Sequence, residues 1–206
     1  MQITVKRAGE LIASPWKNGG GVTRELAVAP PRASLDNFVW RASVADVSAS
    51  GPFSTFPGID RVIVLLDGDG MVLAGADGTS HRLTTRFAPH VFPGETPIEA
   101  TLTGGATRDF NLMVRRAHAR GAVEIHRETT TLVVEDDTLA VLCHVLQGEW
   151  LLAGEAISPA SRLGPGDTVR IEPDGAAPCA AAQLVPAAQA GDAPALLVAH
   201  VRACPR

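Results

Sequence analysis

Short apolar and β-branched runs recur along the whole chain, and almost none has a helical period. "ELAVAP", "FVWRASVADV", "RVIVLL", "MVLAG", "IEATLT" and "DFNLMVRR" fill the first half. "AVEIH", "TLVVED", "LAVLCHVL", "TVRIEP" and "ALLVAHVRA" fill the second. Gly, Pro, Asp and Asn punctuate them, which predicts an all-β sandwich or barrel. The Ala-rich stretches 176–183 and 186–194 contain Pro or Gly, so they read as a strand with flanking loops. Alternation on "FVWRASVADV" puts Arg41, Ser43 and Ala45 on one face and Phe38, Trp40 and Val44 on the other. By the same count Asp109, Asn111 and Met113 share a face, and Arg61 shares one with Ile63 and Leu65.

The pattern also repeats. "LDGDGMVLAG" (Leu66 to Gly75) is echoed by "LQGEWLLAG" (Leu146 to Gly154), and "FPGETPIE" (Phe92 to Glu99) by "GPGDTVRIE" (Gly164 to Glu172). Two tandem copies of one β unit account for both echoes. A Gly-punctuated hairpin followed by a Pro-Gly-acid turn resembles the cupin jelly roll, an eight-strand double sheet. The expected fold is therefore all-β, two tandem cupin jelly rolls (a bicupin). The expected division is 1–117 and 118–206, with room for strand exchange between the two.

Composition narrows the function. Of 206 residues, 46% are hydrophobic and 19% charged, which is globular. No apolar run approaches the roughly 20 residues of a membrane-spanning helix, and "MQITVKRAGEL" lacks the apolar core of a signal peptide. A net charge of −4 argues against a nucleic-acid partner. Cys143, Cys179 and Cys204 have no metal-site spacing, and three reduced thiols in the cytoplasm are expected.

Several chemistries lack their residues. Cupin metal sites use two histidines two apart on a strand. His81, His90, His118, His126, His144 and His200 contain no such pair, so no metal or cofactor is expected and these side chains read as surface or rim histidines. Nucleophile elbows and phosphate loops are missing too. Cys143, inside "LAVLCHVL", reads as a buried inert thiol.

What stands out is polar residues set in apolar strands of the first half. A guanidinium beside apolar strand positions needs an anion, because an unpaired buried charge is costly. For Arg41 that anion is Glu25 or Asp109; for Arg61 the favoured reading is a ligand carboxylate, which a planar guanidinium grips in two places. The segment "PWKNGGGVTRE" brings Lys17 and Asn18 next to Gly19, Gly20 and Gly21. Three glycines serve either a tight turn or close approach of backbone to something bound.

"PWKNGGGVTREL", "FVWRASVADVSASGPFSTFPGIDRVIVLLDGDG", "FPGE" and "RDFNLMVRR" together resemble the HutD/Ves family of bicupin proteins, densely over about the first 115 residues. The resemblance implies a metal-free fold with its pocket in the N-terminal barrel. It also implies restraint of histidine utilisation by binding a pathway acid, N-formylglutamate or urocanate; the Ves branch is linked only to environmental stress. The family's Trp-Lys-Asn-Gly-Gly-Gly motif falls on Trp16 to Gly21, and its Pro-Gly-x-x-Arg element on Pro57, Gly58 and Arg61. Together with the polar strand residues, the expected ligand-binding set is Arg61, Lys17, Asn18, Gly19, Gly20, Arg41 and Asn111, with no catalytic residue. The alternative is a metal-independent cupin enzyme acting on a small acid. The partners expected are a small carboxylate and, as an open option, a second copy in a homodimer, with no nucleic acid and no membrane.

Overall fold

The computed structural model describes residues 1–154, 157–174, 179–187 and 193–205, the side chains of 157–159 and 179–181 excepted. Its chain divides into two compact units, Leu11–Gly121 and Met1–Glu10 with Ala122–Arg206. The first ten residues therefore group with the C-terminal unit, and the division falls at 121/122 rather than 117/118. The reason is strand β1 (Gln2–Lys6), which pairs antiparallel with β17 (Thr168–Glu172), Gln2 opposite Glu172 and Lys6 opposite Thr168.

The first unit holds β2 (Ala13–Pro15), β3 (Gly21–Ala29), β4 (Trp40–Val47), β5 (Gly51–Pro52), β6 (Ile59–Asp67), β7 (Met71–Gly75), β8 (Ser80–Leu83), β9 (Pro89–Pro93), β10 (Ile98–Leu102) and β11 (Thr107–Arg115). Next come β12 (Ala119–His126), β13 (Thr130–Val134), β14 (Thr138–Gln147), β15 (Trp150–Gly154) and β16 (Ile157–Leu163). After β17 follow β18 (Cys179–Pro186) and β19 (Ala195–Ala203). The sheets of the first unit run β2-β3-β4-β11-β6-β9 and β5-β10-β7-β8; those of the second run β1-β17-β14-β19-β12 and β13-β18-β15-β16. Replacing each of β4–β11 by the strand eight places later turns β4-β11-β6-β9 into β12-β19-β14-β17, and β5-β10-β7-β8 into β13-β18-β15-β16. Each copy is one eight-strand jelly roll, so the fold is a bicupin. Among the described residues no helix is long and apolar enough to cross a membrane.

This wiring confirms one sequence echo and corrects the other. "LDGDGMVLAG" and "LQGEWLLAG" are the β6–β7 and β14–β15 hairpins, which are equivalent. "FPGET" lies between β9 and β10, whereas "GPGDT" lies between β16 and β17, whose counterparts are β8 and β9. The two turns differ in backbone as well: Gly166 has φ +85, and Gly94 is not in the left-handed region. Pro-Gly-acid-Thr suits more than one strand junction, so the likeness marks turn chemistry and not descent.

Cores form where the two sheets of a unit face each other. In the first, Ala45, Ile63, Leu65 and Phe92 of one sheet meet Met71, Leu73, Leu83 and Ile98 of the other. In the second, Val141, Cys143, Val169 and Val198 meet Leu132, Trp150, Leu163 and Leu184. Cys143 is fully buried and burial pushes its thiol up. In the folded protein a thiol-alkylating reagent is therefore expected to leave Cys143 untouched while modifying the part-exposed Cys204; intact-mass analysis before and after denaturation checks this. The side chain of Cys179 lies outside the described residues. His144 corrects the rim reading of the histidines: it is buried, with Nδ1 2.9 Å from Thr168 Oγ1.

Candidate functional site

Three neighbouring strands present one polar face to the interior of the first barrel. Across β4, β11 and β6, Ser43 stands opposite Asn111 and Asn111 opposite Ile63. One step along, Met113 stands between Arg41 and Arg61. Period-2 alternation thus gathers Arg41, Ser43, Asp109, Asn111 and Arg61 on a single surface. They line a cavity of about 610 Å³, closed further by Pro15, Trp16, Lys17 and Asn18 from the glycine segment and by Phe53 and Phe56 after β5. Three of its charged lining residues are cations (Lys17, Arg41, Arg61) and one is an anion, Asp109. That balance favours anionic occupants.

Arg61 is 8% exposed. Its Nη2 donates to Asn111 Oδ1 at 2.8 Å, and its guanidinium lies 4.9, 5.4 and 5.8 Å from the ring centres of Phe92, Phe53 and Phe56. Such contacts with aromatic faces are worth about 0.5–2 kcal/mol each, which helps the cation tolerate burial. Burial still lowers its pKa to about 10, with Asp109 raising it and Arg41 lowering it. Asn111 uses both ends of its amide, since Nδ2 donates to Asp109 Oδ1. Asp109 is 1% exposed, and burial raises its pKa to about 7 against the pull of Arg61. Arg61 Nε and Asp109 Oδ2 are buried with no hydrogen-bond partner. Buried polar groups are normally satisfied, whereas here two residues that line the cavity each keep an unpaired polar atom, one a donor and one an acceptor.

Arg41 has its anion inside the protein: Nε donates to Glu25 Oε2 at 2.9 Å. Lys17 and Asn18 are exposed residues of the lining, and Asn18 Oδ1 accepts from Gly20 N at 3.0 Å. Gly19 and Gly20, expected in the ligand set, do not line the cavity. Their N–H groups are taken internally, Gly19 N by Trp16 O at 3.0 Å and Gly20 N by Asn18. The glycine segment is thus a turn, with Gly19 at φ +71, that aims Trp16, Lys17 and Asn18 at the cavity. Trp16 Nε1 fixes it by donating to Thr23 Oγ1 at 2.7 Å. Close approach explains Gly21, where a Cβ would lie 2.5 Å from Asp46 O. Gly21→Ala is expected to cost about 1–3 kcal/mol, more than Gly19→Ala at about 1 kcal/mol, as chemical denaturation would read.

The aromatic collar and the open Oδ2 of Asp109 were not anticipated from sequence. Phe53 and Phe56 do sit just ahead of Arg61 in "GPFSTFPGIDR", and Phe92 is its partner across β6 and β9.

The second barrel is an internal control. Taking the hairpin echo as alignment, Arg61 corresponds to Val141. Strand register then equates Asn111 with Val198 and Asp109 with Leu196. All three counterparts are fully buried and apolar. One copy of the fold fills this position with hydrocarbon, while the other keeps it polar and open.

A HutD family model matches residues 8–188. The chain belongs to the HutD family. Its relatives include an uncharacterized 21.2 kDa protein in the hutC 3′ region of Pseudomonas putida, 37% identical over 171 residues, or 83% of this chain and 87% of the relative. Protein Ves of Cronobacter sakazakii is 40% identical over 145 residues, 70% of this chain and 76% of that protein. The solved structure of HutD from Pseudomonas fluorescens SBW25, in a formate condition, superposes with a TM-score of 0.81 at 26% identity, covering 99% of this chain and all of that one (100%). Among the described residues, no group of three His, Cys, Asp or Glu side chains is placed to hold a metal ion.

Proposed function

We propose that the protein binds a small carboxylate in its first barrel and, as a cytoplasmic regulator, restrains histidine utilisation through that binding. The observation that carries this reading is Arg61, a buried guanidinium with an unpaired Nε, lining a cavity whose charged residues are mainly cationic. A volume of about 610 Å³ suits a metabolite. N-formylglutamate and urocanate are the candidate acids, and the relative in the hutC 3′ region supports the link to that pathway. A thermal-shift screen of small carboxylates tests the reading. At a hundred times its dissociation constant a ligand adds about 2.7 kcal/mol to native stability, so the binding acids raise the melting temperature by several degrees. A screen in which no acid shifts the transition would overturn it.

One observation favours a second reading, a metal-independent enzyme. A carboxyl group titrating near neutrality inside a cavity suits proton transfer to or from a substrate. Incubating the protein with each binding acid and following it by NMR separates the two: an unchanged ligand supports binding, and turnover supports catalysis.

A further inference from the structure

Arg61 Nε explains how an anion is attracted, but not why an acidic side chain shares its cavity. Asp109 lies on the same polar face, tied to Arg61 through the Asn111 amide, with Oδ2 buried and unpaired. The charged groups around it come from several elements. β6 brings Arg61; β4 brings Arg41 and Asp46; β3 brings Glu25, held by Arg41; and the glycine segment brings Lys17. On its own strand Arg108 is engaged with Asp46. The β5 side contributes Pro52, Phe53 and Ser54, with no titratable group. A carboxylate arriving at Arg61 would add a second negative charge beside an ionised Asp109 that is itself 1% exposed, and like charges there disfavour joint ionisation.

We propose that this site binds its carboxylate together with one proton, which Asp109 takes from solvent, so that the bound acid meets a neutral carboxyl group. The balance is simple: ligand carboxylate, Asp109 carboxylate and one proton give a complex in which a neutral carboxyl group faces an anion held by Arg61. Burial has already moved Asp109 to about 7, so the proton is lacking mainly above neutrality. Arg61, at about 10, keeps its charge throughout that range.

This inference rests on the carboxylate-binding reading. Its test is titration calorimetry with formate and N-formylglutamate, neither of which titrates between pH 6 and 9, in bis-Tris and MES at pH 6 and in Tris and HEPES at pH 8.5. These buffers differ in ionisation enthalpy, so the difference in observed heat counts protons. Wild type is expected to take up close to one proton per site at pH 8.5 and little at pH 6. Its dissociation constant should rise toward tenfold per pH unit above the Asp109 transition. Asp109→Asn, which keeps the shape and a donor, is expected to show no uptake and a dissociation constant independent of pH. Binding by wild type without proton uptake at pH 8.5 would overturn this inference and leave the carboxylate site standing. Uptake that survives in Asp109→Asn would assign the proton to another group and overturn it too. If no small carboxylate binds wild type at any pH, the parent reading falls and takes this one with it. The wild-type measurement decides even if the variant fails to fold.

Discussion

Arg61→Ala is expected to weaken binding of N-formylglutamate or urocanate at least tenfold, with Arg61→Lys falling between it and wild type. Hydrogen bonds to a charged group contribute roughly 1.5–3 kcal/mol each, and a guanidinium can make two in parallel to one carboxylate. Lysine restores the charge but not the planar fork, and it stacks less well on Phe92, Phe53 and Phe56. The alanine variant also removes the donor to Asn111 Oδ1, so its folding should be verified by circular dichroism before titration. A folded Arg61→Ala protein that binds as tightly as wild type would place the anchor elsewhere.

Asp109→Asn is expected to be more stable than wild type at pH 8, with the difference shrinking as the pH falls. The folded pKa of Asp109, about 7, stands above the ordinary value of 3.8. The unfolded chain therefore gives up its proton first. The stability contributed by the protonated group is complete below about pH 4 and is lost as pH rises through about 7. Between pH 5 and 8 this loss is on the order of 2–3 kcal/mol, and the asparagine variant should not suffer it. The histidines have the opposite sign: burial lowers the pKa of His90 and of His200, so their effect appears as the pH falls. Subtracting the variant's denaturation curves from those of wild type removes their contribution. A difference that stays flat from pH 5 to 8 would mean that Asp109 titrates as an ordinary surface carboxylate.

Interior strands and their faces were legible in the sequence because their buried positions leave a strong apolar signature. "MVLAG" and "ALLVAHVRA" coincide with β7 and β19, and "RVIVLL" lies within β6. Alternation placed Arg41 with Ser43 and Asp109 with Asn111, and all four line the cavity. Edge strands were much less visible. β9 begins and ends in proline, which an edge tolerates because one side of its backbone is unpaired, and its "FPGE" end read as a turn. Phe92 was therefore missed as the partner of Arg61. The open polar atoms could not be seen from alternation either. That pattern gives the face on which Asp109 and Asn111 sit, but not that the Asn111 amide bridges Arg61 and Asp109. Alternation says nothing of the glycine segment either. Lys17 and Asn18 reach the cavity as expected, whereas Gly19 and Gly20 build the turn that puts them there.

The central claim is that the first barrel recognises negative charge on a small acid, and titration calorimetry of wild type with urocanate and with its neutral amide tests it most directly. The two ligands share size, ring and hydrogen-bonding reach, and differ in the carboxylate that Arg61 would hold. The acid is expected to bind at least tenfold more tightly than the amide, and equal affinities would contradict the account.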